Sequence, residues 1–213
     1  MNIYKLSNYI PNISKYKTIG ILGGSFDPPH LSHTLMAIYM LLLKNIDELW
    51  IIPCFNHAFG KKLSSFSVRI NMCKLAFSYF GDQIKIVSIE KYLSCPNYTV
   101  RTLELIKKIN SEIKIFFAIG SDSLQKIHKW RDFRLLRKLC TLIVFLRIGF
   151  PMENISYNLV INKVENYILP NISSSAIRNM CNITDEYNIK NNLKFILDNK
   201  VLKFIKKYKI YYN

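Results

Sequence analysis

The sequence predicts an α/β fold, a doubly wound parallel sheet flanked by helices and followed by a helical C-terminal segment. Three observations predict it. Short apolar runs alternate with longer runs of helical periodicity, and the first of them stops at a glycine pair that opens directly onto a helix. Half of the 213 residues are hydrophobic and only seven each are Gly and Pro, which excludes a disordered or collagen-like chain.

Residues 18–22 are short, β-branched and apolar and end at Gly23-Gly24, which reads as strand and tight turn. A helical pattern follows over 31–44, a strand over 48–52, a helix over 67–80, a strand over 84–89, a helix over 99–110 and a strand over 113–119. A short helix around 132–138 and a strand over 141–146 continue the alternation. Strands and helices at this spacing call for parallel pairing through right-handed crossovers, hence a Rossmann-like sheet with ligands beyond the carboxyl ends of its strands. From Ser174 onward the patterns are helical, including 192–198 and 201–208. Residues 1–17 are expected to be an N-terminal extension and 18–213 a single domain, large enough to bury roughly 70% of the surface its unfolded chain exposes.

The formal net charge is +16, thirty basic residues against fourteen acidic. Lys, Asn, Ile and Tyr crowd the whole chain, so the charge reads as a compositional bias of solvated lysines rather than a patch for nucleic acid. The five cysteines, Cys54, Cys73, Cys95, Cys140 and Cys181, are odd in number and contain no C-x-x-C pair, against a disulfide framework or zinc knuckle. The first seventeen residues lack the unbroken apolar run of a secretory signal, and the apolar run 35–43 is too short to span a bilayer. A soluble cytoplasmic protein without membrane or specific nucleic-acid partners is the expectation.

The strongest chemical signal follows the first strand: Gly23-Gly24-Ser25-Phe26-Asp27-Pro28-Pro29-His30-Leu31-Ser32-His33. Two glycines allow close approach of backbone amides to a phosphate, and a helix start adds a positive dipole end with unpaired N–H groups. His30 and His33, three apart, can face the same side and donate to one phosphoryl group. They lack the i, i+4 spacing and the third ligand of a zinc site. Neither G-x-x-x-x-G-K-[ST] nor G-x-G-x-x-G is present, and no K-x-D-G of lysyl-adenylate ligases. A second signal lies far downstream, Ile172-Ser173-Ser174-Ser175-Ala176-Ile177-Arg178, where consecutive hydroxyls are either an ordinary helix cap or phosphate ligands. Arg178, one turn inward, can return a guanidinium fork to phosphates at that helix end.

The first motif resembles the G-G-x-F-D-P-x-H-x-G-H signature of the nucleotidyltransferase superfamily related to class I aminoacyl-tRNA synthetases, and the second resembles its I-S-S-[ST]-x-[IV]-R. Ser32 replaces the usual glycine between the histidines, and Ser175 takes a position that is often Thr. Pro96-Asn97-Tyr98-Thr99-Val100-Arg101-Thr102-Leu103 is similar to the P-x-Y-T-x-x-T-L of bacterial nicotinate-nucleotide adenylyltransferases, Gly120-Ser121-Asp122-Ser123-Leu124 with Trp130 to their G-x-D-S-L…W, and His57-Ala58-Phe59-Gly60-Lys61 to the H-x-F-G-K of one branch. The resemblance runs from about residue 18 to the C-terminus.

It implies an adenylyltransferase that joins ATP to nicotinate or nicotinamide mononucleotide by direct in-line attack, releasing pyrophosphate. His30, His33 and Arg178 then carry the catalytic charge; Gly23, Gly24, Ser25, Phe26, Gly120, Asp122, Ile172, Ser173, Ser174 and Ser175 hold ATP; Lys61, Tyr98, Thr99 and Trp130 hold the mononucleotide. Magnesium is implied on the ATP phosphates, with no protein ligands. Some of these residues keep a plainer reading: Trp130 as core, Asp122 as the cap of the turn after Gly120, Lys61 and Lys62 as solvated lysines. The alternatives for the whole chain are a pantetheine-phosphate adenylyltransferase, which shares both phosphate motifs, and a basic nucleic-acid-binding module, to which the segment 203–212 comes nearest.

Overall fold

The computed structural model describes residues 9–43, 46–151, 161–181 and 193–212. Six strands form one sheet: β1 (Thr18–Gly24), β2 (Glu48–Pro53), β3 (Ile84–Ile86), β4 (Lys114–Gly120), β5 (Thr141–Arg147) and β6 (Ile161–Leu169). They pair in the order β3-β2-β1-β4-β5-β6, every pairing parallel. The connecting helices are α1 (Leu31–Leu43), α2 (Phe66–Ala76), α3 (Thr99–Ile109), α4 (Ser121–Leu124) and α5 (Phe133–Leu139); α6 (Ser174–Cys181) and α7 (Asn199–Lys207) follow the sheet.

Strands covered on both faces need apolar residues at consecutive positions, and these strands supply them. Leu22, Leu49, Ile51, Ala118, Ile143 and Phe145 pack on one face with α1, α2, α6 and α7. Ile19, Ile21, Trp50, Ile115, Phe117 and Leu142 pack on the other with α3 and α5. Each fully buried Ile, Leu or Phe contributes about 1.5–3 kcal/mol relative to exposure. Ile10 and Ile13, within the stretch expected as an extension, join the second cluster. Tyr16 and Trp50 donate to the two oxygens of buried Glu48, at 2.8 and 2.6 Å.

The fold agrees with the sequence expectation in class and order, with local departures. The expected strand 84–89 stops at Ile86, and Ile89–Tyr92 is a 3-10 turn. The expected helix 67–80 ends at Ala76 and gives way to 3-10 turns over Ser78–Gln83, where Gly81 is at φ 58°. Residues 194–196 form a turn and 197 a bend, Asn192 of the expected 192–198 helix lying outside the described residues. Strand β6 was not expected; its sequence INKVENYIL interrupts the apolar run with Asn, Lys and Glu, which an edge strand paired on one side tolerates.

Candidate active site

From the adjacent strands β1 and β4 the chain winds outward in opposite directions, β1 through β2 to β3 and β4 through β5 to β6. Beyond the carboxyl ends of such a pair the flanking loops part, and a crevice forms. Here it is a cleft of about 540 Å³.

Its floor is the end of β1 and the turn that follows. Gly23 and Gly24 line it, but neither is left-handed. A Cβ on Gly23 would come within 3.1 Å of the Phe117 ring and one on Gly24 within 3.3 Å of the Phe26 ring, so a side chain at either would press these rings outward by a few tenths of an ångström. The turn itself is made by Phe26, at φ 49°, and by the cis Asp27–Pro28 bond. Arg69 of α2, only 1% exposed, braces it from below: Nη1 donates to Ser25 O at 2.9 Å and Cys54 O at 2.7 Å, and Nε to Ser64 O at 3.0 Å.

His30 and His33 line the cleft with ring centroids 3.9 Å apart. The His30 amide donates to His33 Nδ1 at 3.2 Å, which fixes the protonated nitrogen of neutral His33 as Nε2. Burial first, then Arg147, lowers the His33 pKa to about 3; burial, His33 and Arg147 push that of His30 down as well. Both rings are therefore neutral at pH 7 and donate as N–H groups rather than as cations. His30 Nδ1 is buried without a partner. The helix start differs from expectation: the Leu31 amide is occupied by Ile196 O at 2.9 Å, and the His33 and Thr34 amides by His30 O.

The downstream motif lands on the same turn. Ser173 caps α6, its Oγ accepting from the Ala176 amide at 3.1 Å, which is the ordinary role of such a serine. Ser174 Oγ donates to Pro28 O at 2.9 Å, and Ser32 Oγ to Pro170 O at 3.5 Å, so the serine standing in place of glycine is accommodated as a tie between the motifs. Arg178 spends its fork on Asp27 O at 2.7 Å and Ser175 Oγ at 3.1 Å. Ser173, Ser174 and Ser175 line the cleft, and Ile172 and Arg178 do not.

Asp122 does not cap α4; its Oδ2 accepts from Arg147 Nη1 at 2.8 Å. Its side chain folds over Gly120, where a Cβ would collide with Oδ1. Arg147 also donates from Nη2 to Ile172 O, its amide donates to Ser121 Oγ at 3.0 Å, and its Nε is buried without a partner. It therefore joins the end of β4, the end of β5 and the start of the serine motif. Sequence reasoning missed both Arg147 and Arg69. Each carries a signal: Arg147 is the charged last residue of an apolar strand, and Arg69 interrupts the buried α2 stripe of Met72, Cys73 and Ala76.

Tyr98, Thr99 and Trp130 also line the cleft. The Tyr98 ring has the Arg101 and Arg131 guanidiniums at 5.3 and 6.0 Å. Trp130 is half-buried, meeting Phe117 edge-on at 6.3 Å, so it packs on the core and lines the cleft together. Lys61 is exposed at the rim. Glu90 closes the base, accepting from the Phe55 amide and Thr102 Oγ1, both at 3.2 Å; burial raises its pKa to about 7.

Residues 21–180 match the model of the cytidylyltransferase-like family. A probable nicotinate-nucleotide adenylyltransferase of Bacillus pumilus is 32% identical over 197 residues, 92% of this chain and 98% of that protein. The chain belongs to the nicotinate-nucleotide adenylyltransferase family. The nicotinate-nucleotide adenylyltransferase of Bacillus subtilis is 30% identical over the same shares, and the probable one of Myxococcus xanthus 34% identical over 64% of this chain and 72% of its own. The adenylyltransferase fold is also that of the Plasmodium falciparum nicotinic acid mononucleotide adenylyltransferase complexed with NaAD (TM-score 0.77, 22% identity, 92% of this chain and 97% of that one).

Proposed function

We propose that the chain joins ATP and nicotinate (or nicotinamide) mononucleotide to give deamido-NAD (or NAD) and pyrophosphate. An oxygen of the mononucleotide 5′-phosphate attacks the α-phosphorus of ATP, the bond from that phosphorus to the bridging oxygen breaks, and pyrophosphate leaves. No protein nucleophile is required. The observation that carries the reading is the convergence of two motifs about 140 residues apart in sequence on one turn beneath the cleft, through the Ser174–Pro28, Arg178–Asp27 and Ser32–Pro170 bonds. Such a floor presents donors to a polyphosphate without reorganisation, and holding two reactants in line supplies roughly 7–11 kcal/mol.

In this reading Gly23, Gly24, Ser25, Phe26 and residues 172–175 cradle the triphosphate. His30 and His33 donate N–H to the charge that builds on its oxygens. Arg178, whose fork already fixes Asp27 and Ser175, supplies positive charge behind them. Asp122, held by Arg147, faces the nucleoside, and Tyr98, Thr99, Trp130 and Lys61 receive the mononucleotide. Among the described residues no three His, Cys, Asp or Glu side chains group to hold a metal ion. A magnesium ion would take its ligands from the ATP phosphates and water, neutralising phosphate charge. No described helix is long and apolar enough to cross a membrane.

Pyrophosphate release, measured with ATP and each mononucleotide in turn and with phosphopantetheine as a third acceptor, tests the proposal. Release with a pyridine mononucleotide and not with phosphopantetheine is expected; the reverse pattern would overturn it.

A further inference from the structure

We propose that the segment after α7 is a strap holding the phosphate turn in its working geometry, with Tyr211 as a positioning residue; this rests on the adenylyl-transfer reading above. Asp27 lies at the centre of the turn between Gly24 and His30 and is 1% exposed. A carboxylate so buried must find its hydrogen bonds inside the protein. Oδ1 accepts from the Tyr211 hydroxyl at 2.6 Å, and Oδ2 from the Ser64 amide at 3.0 Å. An O–H···O⁻ bond of that length belongs to the strong, charge-assisted class. Burial, and then Asp27 itself, push the loss of the phenolic proton far above its ordinary range, so Tyr211 stays a donor.

The chain bends sharply to reach this position. The Ile210 amide donates to Ile205 O at 3.0 Å and the Lys209 amide to Lys206 O at 3.2 Å, the paired bonds of a Schellman helix end, with Lys209 left-handed at φ 49° where glycine is usual. Tyr211 is left-handed too, at φ 71°. Two such residues in three are costly and persist where the surroundings over-determine them. Here the Tyr211 side chain packs against the core cluster and seats on Asp27. A second contact comes from the residues that lead into α7: Ile196 O takes the Leu31 amide at the other end of the turn. Residues 193–212 thus grip the phosphate turn on both sides, at Asp27 and at Leu31, without entering the cleft lining.

The test is Tyr211→Phe in the full chain, which keeps the ring and removes the donor. Wild type and variant are assayed side by side for pyrophosphate release well below the melting temperature of each. An inactive wild type would sink the adenylyl-transfer reading rather than the strap. With an active wild type, kcat/KM for ATP should fall roughly tenfold or more, while the KM for the mononucleotide stays within about twofold. A lowered Tm with unchanged kinetics of the folded variant would reduce Tyr211 to a stability contact and overturn the proposal. Should Tyr211→Phe be too unstable to assay, Asp27→Asn carries the test, since its carbonyl keeps the Ser64 amide while the charge-assisted bond to Tyr211 is lost and at most a neutral contact about half as strong replaces it. Calorimetric affinity for a non-hydrolysable ATP analogue should then drop about tenfold, and an unchanged Kd would overturn the strap.

Discussion

His33 has one free hydrogen-bonding role left. Its Nδ1 is taken by the His30 amide, so the N–H it can offer a ligand is at Nε2. A preorganised donor to developing phosphoryl charge is worth about 3–4 kcal/mol, so His33→Ala should lower kcat by roughly 10²–10³-fold with the far-ultraviolet dichroism unchanged. Near-normal turnover at saturating ATP would remove His33 from the mechanism. Both histidines are legible in the sequence because a glycine turn and a helix start fix their neighbourhood within eleven residues. Arg147 and Arg69 are legible only as oddities, since what they do is set by backbone carbonyls of other segments: Ile172 for one, Ser25 and Cys54 for the other. Asp27 is legible as part of the first motif, but its pairing with Tyr211 leaves no local trace, because the tyrosine does not depart from what an ordinary helix end contains.

Among the elements, the end of α7 carries a residue at odds with its backbone. Lys209 sits in the left-handed position that closes the helix, where a Cβ is penalised and glycine is not. Lys209→Gly should therefore raise stability by about 0.5–1 kcal/mol in urea denaturation, the relief of strain exceeding the extra freedom of the unfolded chain. A loss of stability would mean that the lysine stem packs usefully enough to outweigh its strain. The strands were legible wherever both faces are covered, as in β1, β2, β4 and β5, since burial on both sides leaves an unbroken apolar run. Strand β6, with a neighbour on one side only, was not marked by its sequence, and β3 was marked while its three residues were too few to show its end.

Across the folded protein, two buried groups respond to pH in opposite senses. The pKa of His33 lies at about 3 against an ordinary 6.5, so the unfolded chain binds the extra proton between these values and stability is lost as pH falls through that window. Glu90 is raised from 4.5 to about 7, so the native state holds the extra proton, and its contribution, complete below about 4.5, is lost as pH rises through 7. Glu90→Gln keeps a carbonyl for the Phe55 amide and an amide for Thr102 Oγ1. The variant should match the parent near pH 5 and exceed it by roughly 1–3 kcal/mol at pH 8. Equal stability at both values, read from urea midpoints, would place the Glu90 titration in the ordinary carboxylate range.

The bond from Tyr211 to Asp27 spans 184 residues. At about 5–20 residues per second, roughly 10–40 s separate the synthesis of its two ends. Until then the turn has Arg69, Ser64, Ser174 and Arg178 to hold it as each is made, but not the Tyr211 hydroxyl. Ribosome-stalled chains of increasing length should gain about tenfold in affinity for a fluorescent ATP analogue once residue 211 has left the exit tunnel, and the absence of a step at that length would uncouple nucleotide capture from the Tyr211–Asp27 bond.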